Sequence, residues 1–400
     1  MATGATPYQF FLKKEGEQIP KSKAKKHPPL PRLLSKEVGH TCTPKSRSSF
    51  AHTGKRAFEL AQEYSINNSR LALGSALVLG GVLALNQVQS AEAADWNFTD
   101  DTGFAQAAVN ANSDVESATR IIFSGGAPAT INTAVGVSFT REVTIGGANS
   151  QRFTLAPTVE FSGSCLICST SNIRLENVVL DLTNKAEVKA LSVTASANVT
   201  VALDNVEVKN VSGATAISVS GAAATTVTIN NSSIDSNTAG VGGSIVAVSG
   251  AAETTTVTIN SSSIDSNTAG AGGSIVSVSE AANTTVTINN SSIDSNTAGA
   301  GGAGGDGGAG MPAFAGDAGG SILAVAATGD ATVIINNNAT IANNTSGAGG
   351  AGGQVGGVGL GGDGGDGGSI ISVVSATGDT TVTISGAAAI TNKNTGAGGA

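Results

Sequence analysis

Three aspartates have the residue type and the regular spacing of a cation site. Asp235, Asp265 and Asp294 each follow Ser-Ser-Ile, at intervals of 30 and 29 residues. Carboxylate oxygens are good Ca²⁺ ligands, and three of them in one column repel one another unless a cation lies between them. Ala342 and Thr391 fill the equivalent positions later, and a solvated acidic turn costs little. The sequence therefore leaves a Ca²⁺ site and a plain acidic turn open, and predicts no firm metal site.

Cys165 and Cys168 form the second group, in the sequence Cys-Leu-Ile-Cys. In a reducing cytosol this spacing is typical of redox chemistry or of half a zinc site. A second pair is missing, and an exported chain meets oxidants. We therefore expect a local structural disulfide, with free thiols or catalysis as the alternatives.

Pairs of threonines recur on one strand of four repeats. Such an array is similar to the flat threonine surfaces of β-helical ice-binding proteins. Threonine is also a good exposed strand residue in general, and Ile334 interrupts the array. Ice binding therefore stays an alternative function. The pairs are Thr226/Thr228, Thr256/Thr258, Thr285/Thr287 and Thr381/Thr383.

Explicit repeats supply the scaffold that would position these residues. The sequence TTVTIN at Thr225–Asn230 recurs at Thr255–Asn260 and Thr284–Asn289, and SSIDSNTAG follows each copy after one intervening residue. The tetrapeptide GGSI ends at four isoleucines: Ile245, Ile275, Ile322 and Ile370. Repeats of 26–30 residues with three short strand signals predict one solenoid coil per repeat. Alternation predicts Val227 and Ile229 inward and the neighbouring threonines outward. The predicted fold is all-β, a right-handed parallel β-helix over residues 118–400.

Three further segments belong to this prediction. Asn237, Asn267, Asn296 and Asn344 share one register at a bend, where Asn tolerates left-handed backbone angles and stacked amides can bond along the axis. Gly-rich inserts at about 302–319 and 350–367 occupy the same turn of two coils, and we expect loosely ordered loops projecting from one edge. Residues 94–117, with a helix candidate at Phe104–Asn112, are the expected N-terminal cap.

The first 93 residues of the chain have the features of an export signal. Residues 1–70 form a basic, extended n-region that we expect to be mostly disordered, and residues 71–93 contain an uncharged helix, Leu71–Leu85, followed by Ala91 and Ala93. The uncharged run is shorter than the roughly 20 residues of a membrane span. Cleavage is expected between Ala93 and Ala94. A retained signal anchor is the alternative, and the long n-region indicates either an extended signal or a start codon placed too far upstream.

Cleavage would leave little of the usual catalytic chemistry. All three histidines (His27, His40 and His52) and both tyrosines precede residue 71. The remaining chain would have no His-dependent nucleophile and no His metal ligand. We predict no catalytic residue, no cofactor and no enzyme activity. The alternative is a secreted β-helical enzyme acting on glycans, similar to polysaccharide lyases.

Charge separates the two parts of the chain. Residues 1–70 contain 13 of the 21 Lys and Arg, five Glu and no Asp, whereas the rest has eight basic and 24 acidic residues, a formal charge of −16. A uniformly acidic body does not favour nucleic acid, so no nucleic-acid partner is predicted.

The pairing of S-x-I-x-x-N with G-G-S-I resembles the repeats of chlamydial polymorphic outer membrane proteins, where the paired motifs are Phe-x-x-Asn and Gly-Gly-Ala-Ile/Leu. Here Ile234, Ile264, Ile293 and Ile341 replace the Phe, and Ser244, Ser274, Ser321 and Ser369 replace the Ala. The wider resemblance, over about residues 100–400, is to autotransporter passenger domains and related β-helical adhesins.

This resemblance implies an exported protein at the cell surface or outer membrane, or outside the cell, of a Gram-negative bacterium. Its role would be that of an adhesin or stalk that contacts host cells, matrix or glycans. Autotransporters end in a membrane β-barrel, which this sequence lacks. We expect a product truncated before such a barrel, with a secreted solenoid as the alternative.

Overall fold

The computed structural model describes residues 94–113, 119–126, 129–183, 185–250, 253–306, 313–354 and 362–399. The predicted n-region (1–70) and the signal segment (71–93), including Ala93, lie outside the described residues. Within them the chain is all-β, with one helix, α1 (Asp101–Ser113), and one 3-10 turn at Ala148–Ser150.

The strands line three faces that recur once per repeat. Face 1 is a ten-stranded parallel sheet of β1 (Ala94–Phe98), β2 (Thr119–Phe123), β4 (Val143–Gly147), β6 (Ile173–Glu176), β9 (Val199–Asp204), β12 (Thr225–Asn230), β15 (Thr254–Asn260), β18 (Asn283–Asn289), β21 (Ala331–Asn336) and β24 (Thr380–Ile384). Face 2 consists of the short strands β7 (Val178–Asp181), β10 (Glu207–Lys209), β13 (Ser233–Asp235), β16 (Ser263–Asp265), β19 (Ser292–Asp294), β22 (Thr340–Ala342) and β25 (Ala389–Thr391). Face 3 consists of β8 (Lys189–Ala195), β11 (Ile217–Gly221), β14 (Val246–Gly250), β17 (Val276–Ala281), β20 (Leu323–Ala327) and β23 (Ile371–Ser375).

Two long strands join faces 2 and 3 into one 15-stranded sheet: β3 (Thr130–Phe139) and β5 (Phe153–Ser169). The start of β5, Phe153–Leu155, pairs with β7, and its end pairs with β8. The sequence predicts separate strands at Phe153–Leu155 and Val159–Phe161, whereas the backbone runs through both as one strand.

Alternation along each strand builds the core. In β12, Val227 and Ile229 are fully buried, whereas Thr226 and Thr228 are partly exposed. Val227 pairs with Val257, and Ile229 with Ile259, so each inward side chain stacks on its counterpart one repeat later. All pairings between described strands are parallel, and sequential repeats are hydrogen-bonded neighbours. The prediction of an all-β fold built from parallel, repeating strands is confirmed, and the two long parallel sheets are consistent with a solenoid.

The first coil begins earlier than the sequence indicates. Ala94 opens β1, which pairs in parallel with β2, so the segment expected to be only a cap already contributes a strand. Helix α1 follows, and it buries Phe104 and three alanines. The Phe98 ring lies 5.1 Å from that of Phe104 and 5.4 Å from that of Phe153, which fills the first coil with large aromatic side chains.

Candidate functional site

The three aspartates stack in one column of face 2. Asp235 pairs in register with Asp265, and Asp265 with Asp294, so the predicted column exists. Their carboxylates have local partners: Asp235 accepts from the Ser236 hydroxyl at 3.1 Å, and Asp294 accepts from the Asn343 amide at 2.8 Å. Among the described residues, no three Asp, Glu, His or Cys side chains form a group suited to a metal ion.

The same column continues upstream into a charged cluster that the sequence analysis missed. The Lys209 ammonium lies 2.8 Å from Glu207 and 3.9 Å from Asp181, and Arg152 lies 2.9 Å from Glu207. Asp181 precedes Lys209 by one repeat, whereas Arg152 lies 55 residues before Glu207. Only the register of the coils brings these charges together.

The contacts within this cluster shift the pKa values of two of its residues, Asp181 and Lys209. Burial raises the pKa of Asp181, but hydrogen bonds from Asn210 and Thr183 outweigh burial, so the pKa lies below its ordinary value. A hydrogen bond to Glu207 raises the pKa of Lys209, while burial opposes the change. Both shifts favour the charged forms, as expected for a set of ion pairs.

Cys165 and Cys168 lie near the end of β5. Their Cα atoms are 5.8 Å apart and their sulfur atoms are joined. That Cα separation is ordinary for a disulfide. Cys165 is buried.

The outward threonines of face 1 form two columns. The first column is unbroken over six coils and consists of Thr200, Thr226, Thr256, Thr285, Thr332 and Thr381. The second column contains Thr228, Thr258 and Thr287 but is interrupted by Ile334 before Thr383, as the sequence indicates.

The asparagine ladder lies inside the solenoid. Asn237 donates from Nδ2 to Oδ1 of Asn267, Asn267 donates to Asn296, and Asn296 donates to Asn344, each at 3.0 Å. All four side chains are 1% exposed. The predicted stacking is confirmed, but the left-handed backbone positions were wrong. The preceding residues Ser236, Ser266, Ser295 and Asn343 have the positive φ angles.

A polar groove of about 620 Å³ runs along the corner between faces 1 and 2. Its floor is formed by the buried Ser232, Ser262 and Ser291. The Ser262 hydroxyl donates to the Asn260 carbonyl at 2.8 Å and accepts from the Ser232 backbone N–H at 3.1 Å. Only the second of the two serines before each Ile reaches the rim, and the alternation within Asn-x-Ser-Ser-Ile could have shown this.

The Gly-rich inserts are ordered by hydrogen bonds where the structure describes them. In the second insert, Gly347, Gly350 and Gly353 donate to backbone carbonyls of the first insert, at Gly320, Asp317 and Phe314. They also accept from Gly368, Gly365 and Gly362 of their own returning run. The bonds recur every third residue, which is the period of a polyproline-II-type helix.

Side chains in the inserts follow the same period of three. Ala348 and Ala351 are exposed, whereas Gly350 and Gly353 are buried. A Cβ atom on Gly350 would lie 1.9 Å from the Gly302 carbonyl oxygen, so only glycine fits there. The expectation of loosely ordered loops is wrong for these residues, because adjacent inserts satisfy each other's backbone groups. The repeated Gly-Gly-x pattern in the sequence could have indicated this ordered packing.

No protein-family model, curated protein or solved structure matches this chain. No helix in the described residues combines the length and the apolar character needed to cross a membrane. The function has to be inferred from the residues themselves and from their arrangement.

Proposed function

We propose that this chain is an exported, non-catalytic surface protein whose right-handed parallel β-helix acts as an adhesin or stalk. One observation carries the proposal: equivalent strands of successive repeats pair in parallel, with an internal ladder of asparagines bonded at 3.0 Å along the axis. Each repeat adds about 4.8 Å to such a stack, so a modest number of residues gives a long, stiff body. The β-helix is proposed to be right-handed because connections between parallel strands are strongly preferred in the right-handed form.

The composition and the charges are consistent with a surface role. Outward positions of the regular repeats carry Ser, Thr and Asn, which keep the stack soluble. Arg152, Arg174 and Lys209 are engaged in ion pairs with acidic side chains, an arrangement suited to stability more than to substrate binding. Export is supported by the signal features before Ala94, and the resemblance to autotransporter passenger domains supports display on a Gram-negative cell that contacts host cells, matrix or glycans.

The full chain, expressed in a Gram-negative host, tests the proposal. The expected product begins at Ala94 on N-terminal sequencing, is cleaved by protease added to intact cells, and increases adhesion of the cells to an epithelial layer over cells without the gene. A product that keeps its N-terminus and resists external protease would contradict export. A surface-exposed product without adhesion would leave only the stalk role.

Ice binding is a second candidate, favoured by the unbroken six-threonine column on face 1. Thermal hysteresis in a solution of the purified chain would support it. Loss of the hysteresis in Thr256→Leu would assign it to that column, and a complete lack of hysteresis in the wild-type chain would dismiss it.

A further inference from the structure

The polar groove between faces 1 and 2 has hydrogen-bonding groups that the fold itself does not use. The rim hydroxyls of Ser233 and Ser263 make no hydrogen bond to the described residues, although both line the groove. The floor serines, by contrast, are bonded to backbone groups on both sides. The rim groups are therefore free for a ligand.

The polar groups along the rim repeat at regular distances. The lining passes through five consecutive coils, from Glu207 to Thr340. At about 4.8 Å per coil, the groove is roughly 19 Å long. Each of the three central coils presents one rim serine and one polar corner residue, as with Ser263 and Ser261. The rim hydroxyl of the third coil, Ser292, also accepts a hydrogen bond from the Thr340 hydroxyl at 3.4 Å. A ligand that uses all of them must itself be linear and repeat its polar groups.

Charge narrows the chemistry of that ligand. Arg152 and Glu207 are the charged members of the lining and are paired at 2.9 Å, so the lining has no net charge. The chain beyond residue 70 carries a formal charge of −16, which disfavours anionic polymers such as uronic-acid chains or nucleic acid.

We propose that this groove binds a neutral, linear polysaccharide, with one sugar unit lying across each coil. Hydroxyl groups on the sugar donate to and accept from the rim serines, and the rise of a sugar unit in an extended chain is similar to the spacing of the coils. Because the lining contains no aromatic side chain, each sugar is held only by hydrogen bonds, and affinity grows with chain length. This inference depends on the proposed adhesin role and names its ligand class.

Binding of oligosaccharides to the full chain, followed by saturation-transfer NMR and calorimetry, tests the inference. The probes are cellohexaose, xylohexaose, mannohexaose and chitohexaose, with hexagalacturonic acid as the acidic comparison. At least one neutral probe should bind, with higher affinity for hexamers than for trimers, and the acidic probe should not bind. Failure of all four neutral probes, or preference for the acidic one, would overturn it.

Two matched variants locate the site. Ser263→Gln fills the groove at its centre and should weaken binding about tenfold, the equivalent of one or two hydrogen bonds. Ser277→Gln makes the same change at a comparably exposed strand position on face 3 and should leave binding unchanged. Unchanged circular dichroism and melting in both variants establish that each is folded. Equal affinity of the two variants would overturn the assignment. Adhesion that persists in Ser263→Gln would refute the groove as the adhesive site without touching the adhesin role.

Discussion

Replacing Asn267 by alanine tests whether the asparagine ladder stabilises the stack of coils. The Asn267 side chain makes four hydrogen bonds. Its Oδ1 accepts from the backbone and side-chain N–H groups of Asn237, and its Nδ2 donates to Asn296 and to the Ile234 carbonyl. With 1% of its surface exposed, the site admits little solvent that could replace these bonds.

The expected loss follows from the groups that become unpaired. Asn267→Ala removes the acceptor of two buried donors on Asn237, and a buried donor without a partner costs about 1–3 kcal/mol. The free energy of unfolding should therefore fall by about 2–6 kcal/mol. That is a large part of the total stability of about 5–15 kcal/mol that is typical of a folded domain.

Chemical denaturation followed by circular dichroism measures this loss, and hydrogen exchange of the flanking coils shows where it acts. Asn230→Ala is the matched control, because Asn230 is partly exposed and its side chain has no hydrogen bond to the described residues. The control should change stability by no more than about 0.5 kcal/mol. If both variants lost the same stability, the ladder would contribute nothing beyond the asparagine side chain in general.

Three other changes have defined outcomes. Gly350→Val places a Cβ 1.9 Å from a carbonyl oxygen, so this variant should speed proteolysis and hydrogen exchange of the inserts. Ala351→Val changes the exposed neighbouring position and should have neither effect. Equal effects of the two variants would contradict the close packing of the glycines. Asp181 has a lowered pKa when folded, so its contribution to stability is present above the unfolded value of about 4 and is lost as the pH falls through the folded value. Asp181→Asn should therefore lose less stability than the wild type between about pH 5 and pH 2 in acid titrations, and parallel titration curves would refute this. Cys168→Ser should lower the free energy of unfolding by about 2 kcal/mol, which is the chain entropy lost when a disulfide closes a very short loop. The variant should also melt at the same temperature with and without reductant. A wild-type melting temperature that reductant does not change would contradict the disulfide.

The parts of the fold that depend on period were predictable from the sequence. Val227 and Ile229 alternate with threonines, and identical strands recur after 30 and 29 residues, so faces, register and stacking follow from strand geometry alone. The asparagine ladder was predictable for the same reason, because equal positions in a solenoid lie directly above one another.

Two features that depend on more than the repeat period were not predictable: the Arg152–Glu207 ion pair and the groove. Arg152 meets Glu207 across 55 residues, in the irregular part of the chain where no repeat sets the register. The groove depends on which serine of each pair points inward, and Ser262 does so because its hydroxyl satisfies backbone groups at the corner. The ion pair has no local sequence pattern that is specific to it. Alternation within Asn-x-Ser-Ser-Ile indicates which serine points inward, but it does not indicate that the corner forms a groove.

The Gly-rich inserts show how context changes the meaning of composition. A free chain of this composition is flexible, because glycine loses much conformational entropy on ordering and supplies no side chain to compensate. Here the coils already hold both ends of each insert close together, so ordering the insert loses little additional loop-closure entropy. Gly347, Gly350 and Gly353 can then bond at every third residue to the neighbouring insert, at a separation that a Cβ would prevent. Two inserts at the same turn of consecutive coils are therefore a different structure from either one alone. The glycines that make a single insert flexible are the residues that allow a pair of inserts to pack.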